Sequence, residues 1–468
     1  MIADACFLLV LFGGLALLMI LVVRGKSIFV VAPLCALLVT VLSGEDPVAR
    51  MTGPYMEGFS QYVKQFYLLF ALGAVFGKLM DRSGAASSVA TLVAHRFGAH
   101  RACLAVVLAS AVLTYGGVSL FVVGFSVYPL AVQLFRAANL PRQFIPAAIA
   151  FGSITFTMTS AGSPEVQNLI PMKYLIDKTT SECLTDARAG WQVSLIVAAL
   201  MFGLGQWYLD RAIRQATKLG GHFEPRESDR VSEAHSKGNV GFLMATCPLL
   251  ATLLSLNLLP WICHRAAESV SVESFPRLHA VLEKFPEDGT LAIFLGVIVA
   301  VILLHHRIDN LWGCFGEGFL NGLLAVGSTS AVVGFGYAVR DLRAFHLVED
   351  WVTHLPGDPL ISAALAVAII AAIAGSASGG QAIALPIIKP IYLDEMGVSP
   401  RALHRIVAIS SGTLDSLPAN GYLVMLIREI CGETHARAYY PIFITTVLIP
   451  AGGTVVAIAL FNCFPQWN

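Results

Sequence analysis

The chain of 468 residues is 56% hydrophobic and only 13% charged, and its 30 basic and 30 acidic residues cancel to a formal net charge of zero. So few charges cannot cover a soluble surface of that size, which excludes a globular soluble protein and marks an all-α polytopic membrane protein. No lysine or arginine cluster is dense enough to make a nucleic-acid surface.

Apolar segments of about 17 to 25 residues, the length that crosses roughly 30 Å of hydrocarbon, recur from end to end. Full spans are expected near 5–23, 27–43, 65–80, 190–210, 239–262, 289–304, 319–338 and 439–462. The first, around Cys6 to Val23, has no basic leader and no clear small-residue cleavage site, so it reads as a retained span and not a signal peptide. After the third span, the polar stretch Ala85 to Arg101 carries Val89, Leu92, Val93 and Phe97 on one side, as an interfacial helix would.

Two apolar stretches are interrupted: about 102–135 by TYGGVS (114–119), and about 359–393 by GSASGGQ (375–381). Unpaired backbone in lipid costs several kcal/mol per group, so such breaks survive only under cover of protein or an aqueous cavity. Re-entrant hairpins fit both places. Each is followed by a short basic turn and then by an apolar segment broken by small, hydroxylic, Pro, Gly and acidic residues. The first is TFTMTSAGSPEVQN (155–168), inside a broken helix over about 143–176; the second is SSGTLDSLPANGY (410–422), inside one over about 402–430. Paired interruptions in matching halves point to the substrate site of a transporter.

The charged stretch Asp210 to Asn239, with Gly220, Gly221 and Pro225, reads as a cytoplasmic linker. It divides the chain into a first repeat (1–210), the linker (211–238) and a second repeat (239–468). Gly77 matches Gly336, and Pro141-Arg142 matches Pro400-Arg401, each 259 residues apart. Both halves share one order: three spans, a hairpin, a broken span and a closing span. Five crossings are odd, so the second half must lie upside down, an inverted repeat. Slightly more lysine and arginine falls on the cytoplasmic side when the N-terminus is outside, and the first hairpin then enters from the cytoplasm.

A helix broken at mid-membrane offers free amides that suit a carboxylate and free carbonyls that suit a cation. The first hairpin and break supply Thr114, Tyr115, Gly117, Ser119, Thr159, Ser160, Gly162, Ser163 and Asn168 as candidate substrate contacts. The second pair supplies Ser376, Ser378, Gly380, Gln381, Ser411, Thr413, Ser416 and Asn420. Such a cage, rich in hydroxyls and poor in fixed charge, suits a small hydroxylated or carboxylated solute. Its glycines allow close backbone approach, although glycine and serine also serve plain helix packing.

Glu165 and Asp415 are the acids within the breaks. Charge at bilayer depth costs at least about 2.5 kcal/mol, so each is a candidate for ion coupling; the alternative is that each caps the following half-helix. Lys173 and Lys389 are expected to snorkel to the interface, and Asp81-Arg82 and Arg340-Asp341 to form solvated pairs at span ends. The nine cysteines are scattered as small hydrophobes, without metal-ligand spacing. No metalloprotease helix, phosphate-binding loop or nucleophile elbow is present, so no catalytic residue, metal or cofactor is expected.

The run ALGAVFGKLMDRSGAASSVATLVAHRFG (71–98) resembles the signature of the gluconate permease family. The stretch from Tyr115 to Pro129, NLPRQFIPAAIAFGS (139–153), the Ser163-Pro164 break, and GSASGGQAIALPII through GVSPRALHRIVAISSGT are similar to the same family, in the same order. The resemblance implies a proton-coupled symporter of a small sugar or hydroxy acid, dimeric, in the bacterial inner membrane. Where gluconate permeases carry histidines in both breaks, this chain has TMTSAGSPEVQN and LDSLPANGY. The first run is closer to the hydroxybutyrate-type branch, which implies a short hydroxy- or ketocarboxylate. A sodium-coupled citrate or dicarboxylate carrier is the alternative; a channel or a membrane-embedded enzyme fits the motifs less well.

Overall fold

A computed structural model describes the chain except residues 1, 25, 87, 90–100, 119, 178–179, 181, 226–239, 270–288, 348–356, 375, 419 and 468, and a few side chains within helices. Most of the expected interfacial helix, part of the linker, and Ser119 therefore lie outside the described residues. The described residues are overwhelmingly helical. The opening helices are α1 (Ile2–Val23), α2 (Ile28–Leu42) and α3 (Pro47–Arg82). The first hairpin and break follow as α4 (Ala102–Tyr115), α5 (Leu120–Ala137), α6 (Ile145–Ala150) and α7 (Val166–Tyr174). Next come α8 (Trp191–Lys218), α9 (Phe242–Asn257), α10 (Leu259–Ser269), α11 (Gly289–Leu304) and α12 (Leu311–Arg340). The chain ends with α13 (Pro359–Ala374), α14 (Ala377–Ile388), α15 (Pro400–Leu414), α16 (Gly421–Met425) and α17 (His435–Cys463).

Helix starts follow local chemistry. Asp46 accepts from the amides of Val48 and Ala49 at 2.9 and 3.3 Å, ahead of Pro47, and Asn310 accepts from Gly313 N at 2.8 Å. The expected span at 27–43 forms a helix of only 15 residues, about 22 Å long and short for a bilayer. The one at 239–262 is interrupted after Asn257 and continues as α10. Helix α8 runs to Lys218, eight residues into the expected linker, because nothing before Gly220 breaks its pattern.

Helices α3 and α12 form the central pair and run antiparallel. Lys78 and Arg82 both reach Glu317 at 2.9 Å at one end, and Arg50 reaches Asp341 at 3.0 Å at the other. Arg82 thus has a cross-helix partner in Glu317, a geometry that chain proximity to Asp81 did not suggest. Close approach depends on small residues: a Cβ on Gly322 would lie 2.4 Å from the Ala71 Cα, and one on Gly318 2.7 Å from the Val75 Cα. Around this pair pack α2 and α11, with α1 against α2 and α9 against α11. A smaller apolar core joins α8, α13, α15 and α17 through Val197, Met201, Ala364, Ile406 and Phe461.

Candidate functional site

Helix α6 continues in a wider turn through Phe151–Thr155 and then stops. Residues 156–165 are non-helical before α7 begins at Val166. Gly162 takes a φ of +77°, and Pro164 follows Ser163, so the helix cannot run through. At Ala161 and Gly162 the freed backbone is satisfied group by group from other elements. Tyr115 Oη donates to Ala161 O at 2.7 Å, and Ala161 N donates to Ser194 Oγ at 2.8 Å. Gly162 N donates to Ala187 O at 2.7 Å, while Asn257 Nδ2 donates to Gly162 O at 2.9 Å. Asn168 Nδ2 donates to the carbonyls of Ser163 and Ala187 at 2.8 and 2.9 Å. This is how irregular backbone is tolerated in an apolar surround.

Under this loop lies Arg405 of α15, fully buried, donating to the carbonyls of Thr159, Ala187 (3.4 Å) and Ala189 (2.9 Å). Its neighbour His404 is also fully buried, with Thr185 Oγ1 2.9 Å from Nδ1 and Asn168 Oδ1 3.3 Å from Nε2. Two turns further along α15, a Cβ on Gly412 would lie 3.4 Å from Thr159 Cγ2. The first break therefore packs directly on the limb that leads into the second.

The second break spans 415–420 and is closed mostly from within. Asn420 Nδ2 donates to Asp415 O at 3.1 Å, Asn420 Oδ1 caps Leu423 N at 3.1 Å, and Tyr439 Oη donates to Ser416 O at 2.9 Å. The Asp415 carboxylate accepts from Ser416 Oγ at 2.9 Å and faces the backbone N–H of Ala377, the first residue of α14. Gln381 of α14 donates from Nε2 to Gln167 O at 3.0 Å and to Ser411 Oγ at 2.8 Å, joining both broken helices. The side-chain oxygens of Gln381 and Gln167 are buried without a donor among the described residues.

Other candidates divide by what they touch. Thr114 Oγ1 is buried without a partner among the described residues, and Gly117, with φ +90°, brings the hairpin tip against Pro164. Ser160 and Thr413 donate to carbonyls of their own chain segments, at Phe156 and Ser410. Ser376 caps α14 at Gly379 N and lies 3.1 Å from Ser378 Oγ, while Gly380 lets α14 close on Ala371. Glu165 is buried at the start of α7 and makes no side-chain capping bond; among the described residues its carboxylate has no hydrogen-bond or ion-pair partner. Absent from the sequence-derived candidates are Arg405, His404, Asn257, Ser194 and Gln167. Arg405 and His404 were the findable ones, as ionisable residues inside an apolar segment.

A groove of about 590 Å³ between α4 and α8, lined by residues such as Phe202, Trp207 and Arg214, contains none of these residues. The candidate site is instead the packed seam between the first break and the helix that leads into the second.

Nearly the whole chain matches one family: the model of the GntP family permeases covers residues 6–462. The chain belongs to the GntP permease family. Among relatives, this GntP permease is 33% identical to the uncharacterized transporter YxjC of Bacillus subtilis (strain 168), over 97% of this chain and 98% of that one. It is 20% identical to the high-affinity gluconate transporter of Escherichia coli (strain K12), over 86% and 87% of the two chains. The crystal structure of the Alcanivorax borkumensis YdaH transporter has a similar fold, with a TM-score of 0.57 at 17% identity, covering 89% of each chain. The resemblance read from residues 71–98 and the later motifs is thus borne out at the level of family, and the GntP permease is a multi-pass membrane transporter.

Proposed function

We propose that the protein is a secondary active transporter of the bacterial inner membrane that moves a small hydroxy- or sugar-acid carboxylate together with protons by alternating access. The observation that carries this reading is the packing of the first break, at Thr159, on Gly412 of the helix that leads into the second break, two turns from a buried arginine that holds the Thr159 carbonyl. The gluconate transporter among its relatives supports a hydroxylated acid as the solute class.

The two halves, 1–210 and 239–468, act in this reading as an inverted repeat, with hairpins about 102–135 and 359–393 entering from opposite faces. Matching contacts support it. Each hairpin tip reaches the break of its own half, Tyr115 at Ala161 and the Ala377 amide at Asp415. Each hairpin's second helix then packs on the broken helix of the other half, Gln381 at Gln167 and Gly124 against Ile430. In this reading the outer spans serve as scaffold and dimer contact, while hairpins and broken helices move.

Glu165 is the proposed proton carrier, because its buried carboxyl has no partner among the described residues that would fix its charge. Asp415, held by Ser416 and the Ala377 amide, has the secondary role of closing the second break. Coupling then follows if proton and solute bind interdependently. A sodium-coupled carrier is the second reading, favoured by the donor-free amide oxygens of Gln167 and Gln381. Proteoliposomes given D-gluconate, 3-hydroxybutyrate or citrate separate the two. Accumulation under a pH gradient without sodium supports the first reading, and accumulation only under a sodium gradient supports the second.

A further inference from the structure

We propose that Arg405 makes the site selective for an anion, by placing a buried positive charge directly behind the first break. The inference rests on the carboxylate-transport reading above. A guanidinium carries five N–H donors and stays charged, and here its acceptors are three backbone carbonyls, of Thr159, Ala187 and Ala189. Among the described residues no carboxylate lies within ion-pair distance of it. The charged or titratable groups around it are His404, Tyr115, Arg401 and Asp186, and Asp186 is already joined to Arg401 at 2.6 Å. The carbonyls order the arginine without neutralising it, and in a low-dielectric surround its field extends into the seam.

Arg405 lies two turns before Gly412 on the same face of α15, the face that meets Thr159. The Thr159 carbonyl points at the guanidinium. In a trans peptide the N–H that follows points the opposite way, so the Thr159–Ser160 peptide is polarised with its positive end away from the arginine. An anion in the seam meets both the charge and the oriented dipole; a neutral solute of the same shape gains neither. Arg405 is therefore a positioning and specificity residue that need not touch the solute.

The test uses the full-length protein in proteoliposomes, with D-gluconate and 3-hydroxybutyrate each set against its neutral amide. Wild type is expected to prefer the acid. Arg405→Lys keeps that preference with slower uptake, whereas Arg405→Gln raises KM for the acid by about tenfold and leaves inhibition by the amide unchanged. Because Arg405→Gln strips donors from three carbonyls and can fail to fold, Asp186→Asn is the second variant: it leaves Arg405 in place and removes nearby negative charge. It is expected to lower KM for the acid about threefold, with no change for the amide. Equal effects on acid and amide in Arg405→Gln, or a KM for the acid that stays or rises in Asp186→Asn, overturn the proposal. Failure of wild type to take up either acid overturns the transport reading itself, and this inference with it.

Discussion

Arg401 lies 2.6 Å from the Asp186 carboxylate, and its counterpart 259 residues earlier, Arg142, lies 3.9 Å from Glu433. In both cases an arginine at the start of one broken helix meets an acid in the chain that follows the other broken helix. The arginines stand 259 residues apart and the acids 247, and the two pairs are unlike in setting. The Arg142 and Glu433 side chains are 3% and 2% exposed, against 40% and 18% for Arg401 and Asp186. Phe223, from the chain beyond α8, covers the buried pair with its ring 5.9 Å from the Arg142 guanidinium.

That asymmetry predicts unequal costs. Asp186→Asn breaks a half-exposed pair and should lower stability by about 1 kcal/mol or less. Glu433→Gln leaves a buried arginine short of its counter-charge and should cost about 3 to 5 kcal/mol. Thermal unfolding of the two variants in one detergent checks the ranking; equal shifts would mean that burial does not distinguish the pairs.

Glu165→Gln should uncouple uptake from the pH gradient while leaving solute exchange between two equal pools close to wild type. Asp415→Asn should instead weaken both together, because its carboxylate holds Ser416 and the α14 amide in place. Paired measurements of gradient-driven uptake and counterflow distinguish the outcomes. Unchanged coupling in Glu165→Gln would remove it as the carrier.

The ten-residue loop at 156–165 is sensitive to shape. At Gly162 the backbone has φ +77°, and an added Cβ would lie 2.8 Å from Asn257 Oδ1, the amide that holds the Gly162 carbonyl. Gly162→Ala should therefore cost about 1 to 3 kcal/mol and depress transport beyond the loss of folded protein. Gly421, with open space around its Cβ position, should accept alanine with little effect. Transport per folded molecule, measured for both, is the check.

Periodicity and turn chemistry act locally, and what they dictate is legible in the sequence. Gly162, Ser163-Pro164 and the cluster around Asp415 to Asn420 stop their helices on their own account, so both breaks were legible. What satisfies the first break was not, because Asn257, Ser194, the Ala187 carbonyl and the Arg405 guanidinium reach it across long stretches of chain. Arg405 was hidden for another reason. It follows a basic turn at Arg401 and a histidine, and only the fold separates the half-exposed Arg401 from the fully buried Arg405. Ser160, Thr413 and Asn420 show the converse: hydroxyls and amides typical of a binding cage are used here on their own backbone.

The central claim is that the two breaks form one solute site, and cysteines at Thr159 and Gly412 in a background freed of the nine native cysteines test it most directly. The account predicts that Thr159→Cys with Gly412→Cys cross-links on mild oxidation, that uptake of the transported carboxylate stops when it does and returns on reduction, and that the carboxylate itself slows the cross-link. Two reactive cysteines that never join, or a cross-linked protein that transports at the full rate, would contradict it.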